Sequence, residues 1–412
     1  MSARRYNTGI INQDIKLGLE AAKEYLPPLA ESDMISKDII KTSSQPIIVK
    51  LMARMSPDSM EQHFRRQLPD GDGLWGSCRF VFDAAAEEYD WLVVYHDLYR
   101  APGSLSMEKL RCPREKTILI TTEPSTITVY GKDYLRQYGT VITFQEPWVT
   151  SHPNAVFTQP GLVWFYGFPN SGGHIRSYDE MRVAEPPEKN KLISTVCSSR
   201  KGALTLHSRR VRFTEQLKSA IPELDIFGHG VKPMSDKAEA LDSYKYHITI
   251  ENHVYPHHLT EKLPDAFLGY TLPFYYGSPN AADYFPPESF IYIDIRDFKR
   301  SRDIIRSTIA NNEYQDRLPY IIEARRRVLD EHNIFALLER YISKTDGRFS
   351  SKTQSGADQF IMNRQTLRLK KPLIGIRSLV EKAVTKGKLR FLKCRSYILS
   401  KDTMDSFSLR GH

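Results

Sequence analysis

Between Tyr244 and Ile293 three polar features stand close together: Glu251-Asn252, then Thr260-Glu261-Lys262 after seven intervening residues, then a Gly-Ser-Pro turn at 277–279. The alternation in "YHITIEN" predicts a strand that delivers Glu251 and Asn252 at its carboxyl end. Thr260 is placed to cap a helix beginning near Glu261, leaving backbone N–H groups and a partial positive charge at its start. Lys262 in that first turn opposes the helix dipole, which makes sense if an anion binds there, and phosphate is the usual one. Pro264 costs little in a first turn, where its missing N–H has no partner to lose. An exposed lysine on an ordinary helix remains the plain alternative on these residues alone.

Residues of this kind need strands to aim them. Apolar runs at 46–53, 78–83, 89–98, 116–125, 139–147 and 161–167 end in polar residues, the pattern of parallel strands buried on both faces. A second set follows at 191–199, 224–230, 246–252, 272–277 and 289–295, after the Pro-rich, charged break "AEPPEKNK" at 184–191. Two successive α/β sets predict two doubly wound, Rossmann-like domains facing across a cleft, with ligands beyond the carboxyl ends of the strands. The boundaries read as an N-terminal extension (1–45), an acceptor-side domain (46–185), a donor-binding domain (186–345) and a basic amphipathic tail (346–412).

At 412 residues, 41% hydrophobic and 26% charged, the chain has the composition of a soluble globular protein of two domains. The N-terminus lacks an apolar signal region, no apolar run reaches membrane-spanning length, and Cys78, Cys112, Cys197 and Cys394 form no C-x-x-C pair. A reducing cytoplasm is the expected home. The net charge of +9 is misleading: Arg364 to Arg395 hold eleven Lys/Arg against Glu381 alone, so everything else is nearly neutral. A nucleic-acid groove on the body is therefore not expected. In the tail, Ile376, Val380, Ala383, Val384, Gly387 and Phe391 recur near a 3.6 period among Arg377, Lys382, Lys386, Lys388, Arg390 and Lys393. A basic amphipathic helix fits an anionic membrane surface, and a solvated tail fits the same residues.

The stretch "YKYHITIEN…LTEKLPDAFLGYTLPFYYGSPNAADYFPPESFIYIDIRDF" resembles the donor-binding signature of glycosyltransferase family 10, the α1,3/α1,4-fucosyltransferases, and among them the bacterial-type members. The likeness is strong over some fifty residues and weaker upstream to "ILITTEPS". It implies a GT-B-like fold and an inverting transfer of L-fucose from GDP-fucose to a hydroxyl of a glycan acceptor. Such a displacement needs a base for the acceptor's proton and positive charge for the departing diphosphate. The resemblance assigns Arg210 to the phosphates, with Arg209 and Arg212 as neighbours that could take its place. It assigns Asn252, Glu261 and Lys262 to the donor, with Glu251 supporting that edge. Glu123, at the end of "TILITTE", is the expected catalytic base, acting with Glu261 at the reacting sugar; Glu146 is the reserve. His258 departs from the family, which usually has Tyr there, and opens the question of a different nucleotide sugar. Bacterial members also carry basic amphipathic C-terminal segments, which favours a peripheral place at the inner face of the cytoplasmic membrane. A catalytically silent membrane- or nucleic-acid-binding protein is the alternative from another class.

No metal or other cofactor is expected. Asp70-Gly71-Asp72 matches a metal-holding D-x-D but sits in a Pro/Gly turn, and Pro256 breaks helical presentation of His253, His257 and His258.

Overall fold

The protein is described from a computed structural model, which covers residues 45–170, 172–197, 206–348 and 359–408. Residues 1–44 of the expected extension lie outside them. In chain order the strands are β1 (Ile47–Ala53), β2 (Leu74–Trp75), β3 (Cys78–Val81), β4 (Trp91–Tyr95), β5 (Met107–Lys109), β6 (Thr117–Ile120), β7 (Thr140–Thr143) and β8 (Ala155–Phe157). They continue with β9 (Lys191–Val196), β10 (Leu224–Phe227), β11 (Tyr244–Ile250), β12 (Leu272–Tyr276), β13 (Ile291–Tyr292) and β14 (Phe360–Met362). The α-helices are α1 (Pro57–Arg65), α2 (Lys132–Leu135), α3 (Tyr178–Val183), α4 (His207–Ala220), α5 (Lys262–Leu268), α6 (Phe298–Ala310), α7 (Glu313–Asp330), α8 (Ile334–Thr345), α9 (Arg364–Lys370) and α10 (Pro372–Ser408).

Two parallel sheets result, as the two sets of apolar runs predict. The first has the order β2-β3-β1-β4-β6-β7-β8, and only the β2–β3 pair is antiparallel. The second has the order β10-β9-β11-β12-β13, parallel throughout. Every residue of β6 and β7 is buried, because crossover segments cover both faces of the first sheet. In each sheet the order reverses beside the first strand laid down, β1 in the first and β9 in the second. Glu123 follows β6, and Glu251-Asn252 follow β11.

The chain changes sheets earlier and more often than its composition suggests. "GLVWFYG" is not a strand: Leu162 makes one isolated bridge to Asn333, and Trp164 and Tyr166 pack in the core of the second sheet. Met181, before the Pro-rich break, joins the same core. After α7 the chain returns, and Phe335, Leu338 and Ile342 of α8 pack beneath the first sheet with Val49, Phe64 and Phe80. Residues 360–370, expected in the tail, are likewise part of this fold. β14 pairs antiparallel with β5, Ile361 and Leu367 are buried with Leu92 and Tyr134, and Arg364 Nε meets Asp97 Oδ2 at 2.9 Å.

The tail proper is one helix. Its first turns dock through buried Ser378 and through Arg377, whose Nη1 lies 3.1 Å from Asp133 Oδ2. Leu373, Ile376, Val380, Val384 and Phe391 are exposed on it. No helix among the described residues is long and apolar enough to cross a membrane.

Candidate active site

The Glu-Asn strand end is a buried anchor. Glu251 is fully buried, and its backbone N–H donates to Tyr276 O at 2.8 Å across β12. Its Oε1 accepts from the backbone N–H of Thr260 at 3.1 Å, and its Oε2 accepts the Thr260 hydroxyl at 2.7 Å. Thr260 therefore does not cap α5; it is spent on Glu251, and no side chain caps this helix. α5 has only seven residues, and what its first turn presents is the ammonium of Lys262 rather than a capped N-terminus. The Gly-Ser-Pro turn has its reason here too. A Cβ at Gly277 would collide with Tyr275 Oη and Glu251 Cγ, so the turn can close over the anchor only with glycine.

Around the anchor lies a ring of charge. Lys262 Nζ sits 3.3 Å from Glu251 Oε2 and 3.2 Å from Glu261 Oε1. Lys237 Nζ sits 3.4 Å from Glu261 Oε1 and 2.6 Å from Asp265 Oδ2. Burial alone would raise Glu261, but the two ammonium groups outweigh it and hold its carboxyl well below the usual range. Burial likewise opposes the charge on Lys262, and Glu251 with Glu261 outweighs it and raises its pKa.

Arg210 is buried on α4 and donates to Asn252 Oδ1 at 3.0 Å, while its buried Nε has no partner among the described residues. Arg209 and Arg212 are exposed, turned about 100° and 160° round the helix from Arg210. The choice among the three arginines is thus made by helix phase. Arg210, Lys237 and Lys262 line a cavity of about 230 Å³ together with Asn252, Glu261 and Asp265. Lys237 and Lys262 are matched by Glu251, Glu261 and Asp265, so Arg210, bonded to the neutral Asn252, is the lining cation without a carboxylate partner among the described residues and the one best placed to meet an anion.

An adjoining cavity of about 340 Å³ shares Asn252, Glu261 and Lys262 and is lined on its far wall by Glu123. No hydrogen bond to the Glu123 carboxylate is formed among the described residues; Gln145 Nε2 instead donates to its backbone carbonyl at 2.6 Å and fixes the loop. Burial raises the Glu123 pKa, and the nearby Glu261 charge raises it further, against Lys262, Arg364 and Arg54. That is an unpaired carboxylate of heightened basicity facing a cleft. Glu146 differs: it is buried, does not line this cavity, lies 4.0 Å from His253 Nε2, and has the Ser125 hydroxyl beside its carboxylate.

His258 lines the same cavity but is buried, its ring centroid 4.7 Å from that of Phe144 with the planes inclined by 58°, and it is tied by Nδ1 to His253 O at 3.0 Å. Burial, then Lys262, lowers its pKa to about 4, so it meets a ligand as a neutral ring. Asp70 and Asp72 form a tight turn in which Asp72 Oδ1 accepts from Leu74 N at 2.8 Å. No group of three His, Cys, Asp or Glu side chains able to hold a metal ion occurs among the described residues.

Lys237 and Asp265 were not anticipated. "SDKAEA" reads as a solvated turn, and its Lys reaches the cavity because Asp236 and Glu239 form a capping box around it. Asp265 did carry a signal, as the one acid within "KLPDAFL", a helix otherwise apolar after its lysine. Its Oδ1 accepts from the backbone N–H groups of Phe165 and Tyr166, at 2.9 and 3.0 Å.

Residues 186–314 match the family model described as glycosyltransferase family 10 (fucosyltransferase) C-term. A 3-galactosyl-N-acetylglucosaminide 4-alpha-L-fucosyltransferase of Pan troglodytes is 32% identical over 133 residues, 30% of this chain and 34% of that protein. An alpha-(1,3)-fucosyltransferase of Helicobacter pylori is 37% identical over 93 residues, 22% of this chain and 19% of that protein. The chain thus spans about a third or less of the length of these relatives. Among solved structures, an alpha1,3-fucosyltransferase with GDP-fucose aligns over 74% of this chain and 96% of its own, with 17% identity and a TM-score of 0.41.

Proposed function

We propose, from the match of residues 186–314 to the family 10 model, that the protein transfers L-fucose from GDP-fucose to a hydroxyl of a glycan acceptor, with inversion at the anomeric carbon. One observation carries the reading. A cavity holding three cations opens beside a cavity holding an unpaired, basic carboxylate, and Asn252, Glu261 and Lys262 belong to both. Arg210 and Lys262, with Lys237 behind them, meet the diphosphate and stabilise the charge that develops as it leaves. Lys262 exchanges its carboxylate partners for phosphate when donor arrives. Glu261 faces the sugar ring and, held ionised, supports the positive charge of the oxocarbenium-like state. Glu123 takes the proton of the attacking hydroxyl from the opposite wall. No step calls for a metal ion.

The name of the Pan troglodytes relative, and that of a 4-galactosyl-N-acetylglucosaminide 3-alpha-L-fucosyltransferase of Homo sapiens that is 32% identical over 106 residues, supply the first acceptors to try, 3- and 4-galactosyl-N-acetylglucosaminides. The exposed apolar stripe of α10, with Arg377, Lys388 and Arg390 beside it, supports peripheral attachment to an anionic membrane at its cytoplasmic face.

The test is ligand stabilisation. GDP and GDP-fucose should raise the melting temperature with concentration, and UDP should not. Transfer should persist in EDTA. Equal stabilisation by UDP removes the guanosine donor, and loss of transfer on chelation with rescue by manganese removes the metal-free mechanism.

A further inference from the structure

From Gln159 to Gly167 every residue is buried except one: Phe165 is 42% exposed, between Trp164 and Tyr166, both in the core. The segment has no freedom to turn it elsewhere. Asp265 holds the backbone N–H groups of residues 165 and 166, and Gly161, at φ +78°, packs so tightly that a Cβ would strike Ile334. The ring itself is braced, its centroid 4.9 Å from that of His63 and 5.3 Å from Lys237 Nζ. Its remaining surface faces the cavity that contains Glu123 and Glu261. Ile127, 43% exposed and four residues beyond Glu123, faces the same space, with Met55 and Val163 completing an uncharged wall. His63 adds no charge to it, since burial lowers its pKa to about 3.

A fixed, solvent-facing aromatic ring beside a catalytic carboxylate is a binding surface rather than a packing defect. We propose that Phe165, with Ile127, is the acceptor subsite, taking the apolar C–H face of a neutral pyranose so that one of its hydroxyls is presented to Glu123. This rests on the transferase reading above. Apolar walls with a few convergent polar groups orient a ligand, and a pyranose has one face of C–H groups and a rim of hydroxyls. Phe165, Ile127, Met55 and Val163 carry no charge of their own, and the cations nearest them, Lys237 and Lys262, are paired with carboxylates. Because Asp265 sits on α5 three residues after Lys262, acceptor wall and donor cations are carried by one rigid piece, which fixes the attacking oxygen relative to the anomeric carbon.

The experiment compares Phe165→Ala, Phe165→Leu and Phe165→Tyr with the wild type, using 4-galactosyl-N-acetylglucosaminide as acceptor probe. GDP stabilisation first shows that each variant is folded. Phe165→Ala should raise the acceptor KM about tenfold or more, the scale of a lost aromatic contact. Its GDP-fucose KM and slow GDP-fucose hydrolysis without acceptor should change far less than the acceptor KM, since Lys237 loses only the ring contact and keeps Glu261 and Asp265, and Phe165→Tyr should restore the acceptor KM where Phe165→Leu does not. Saturation-transfer NMR with the same probe and with methyl glycosides of galactose and N-acetylglucosamine reads binding directly. The proposal is overturned if the acceptor KM of Phe165→Ala is unchanged, if donor hydrolysis falls in parallel, or if no sugar gives a signal that the variant loses. Sugar signals that the wild type gives and Phe165→Ala loses, in a protein that neither binds GDP nor turns over GDP-fucose, would refute the donor reading and leave the subsite standing.

Discussion

Replacing Glu123 by Gln separates base catalysis from architecture. The amide keeps the shape and the hydrogen-bonding capacity of the carboxylate and cannot take a proton. A positioned general base contributes about 10²–10⁴-fold, so turnover should fall by that factor, about 3–5 kcal/mol of barrier. The sign of the pH effect follows from its surroundings. Burial and Glu261 raise the proton affinity of Glu123, so wild-type activity should disappear as pH falls through a value above that of an ordinary carboxyl, and the variant should lack this acidic limb. Stability should move the other way. A carboxyl whose folded pKa is raised costs stability above that pKa, so the variant should unfold at an equal or higher temperature at pH 7. GDP-fucose affinity should barely change, because Glu123 lines only the acceptor-side cavity. The assays are steady-state transfer from pH 4 to 9, GDP-fucose titration and thermal unfolding. A variant that transfers at near wild-type rate, or that loses stability and GDP binding together, refutes the assignment and makes Glu123 structural.

Two further outcomes rest on side-chain direction. Arg210→Ala should lower kcat/KM by about 10²–10³-fold, as single electrostatic groups at a developing charge do, while Arg209→Ala stays near wild type; the reverse order in kinetics would overturn the helix-phase argument. Removing residues 386–412 deletes Lys386, Lys388, Arg390, Lys393 and Arg395, each about 1 kcal/mol at an anionic surface. Binding to phosphatidylserine vesicles should drop steeply while transfer to soluble acceptors is kept, and unchanged vesicle sedimentation would exclude the membrane role.

Residues 360–370 show why such a cut belongs after 385 rather than where the positive charge begins. Charge density runs unbroken from Arg364 onward and reads as one tail. The fold divides it, because Arg364 finds buried Asp97 and Leu367 finds a core, and neither partner is visible within the segment's own spacing. The strands were legible for the opposite reason, since burial on both faces of a parallel sheet writes itself as consecutive apolar residues. The same rule misread "GLVWFYG", whose apolar run is buried in a crossover segment without pairing, and passed over β8, which is only half-buried. At the site, Glu251, Asn252, Glu261 and Lys262 could be found because they share one short stretch. Lys237 and Phe165 could not, since they arrive from other segments and meet at Asp265, a residue whose oddity was local but whose partners lie 28 and 100 positions away. An acid on an otherwise buried helix face must be paid for by hydrogen bonds. Asking where Asp265's partners come from is the step that leads from the donor motif to the acceptor wall.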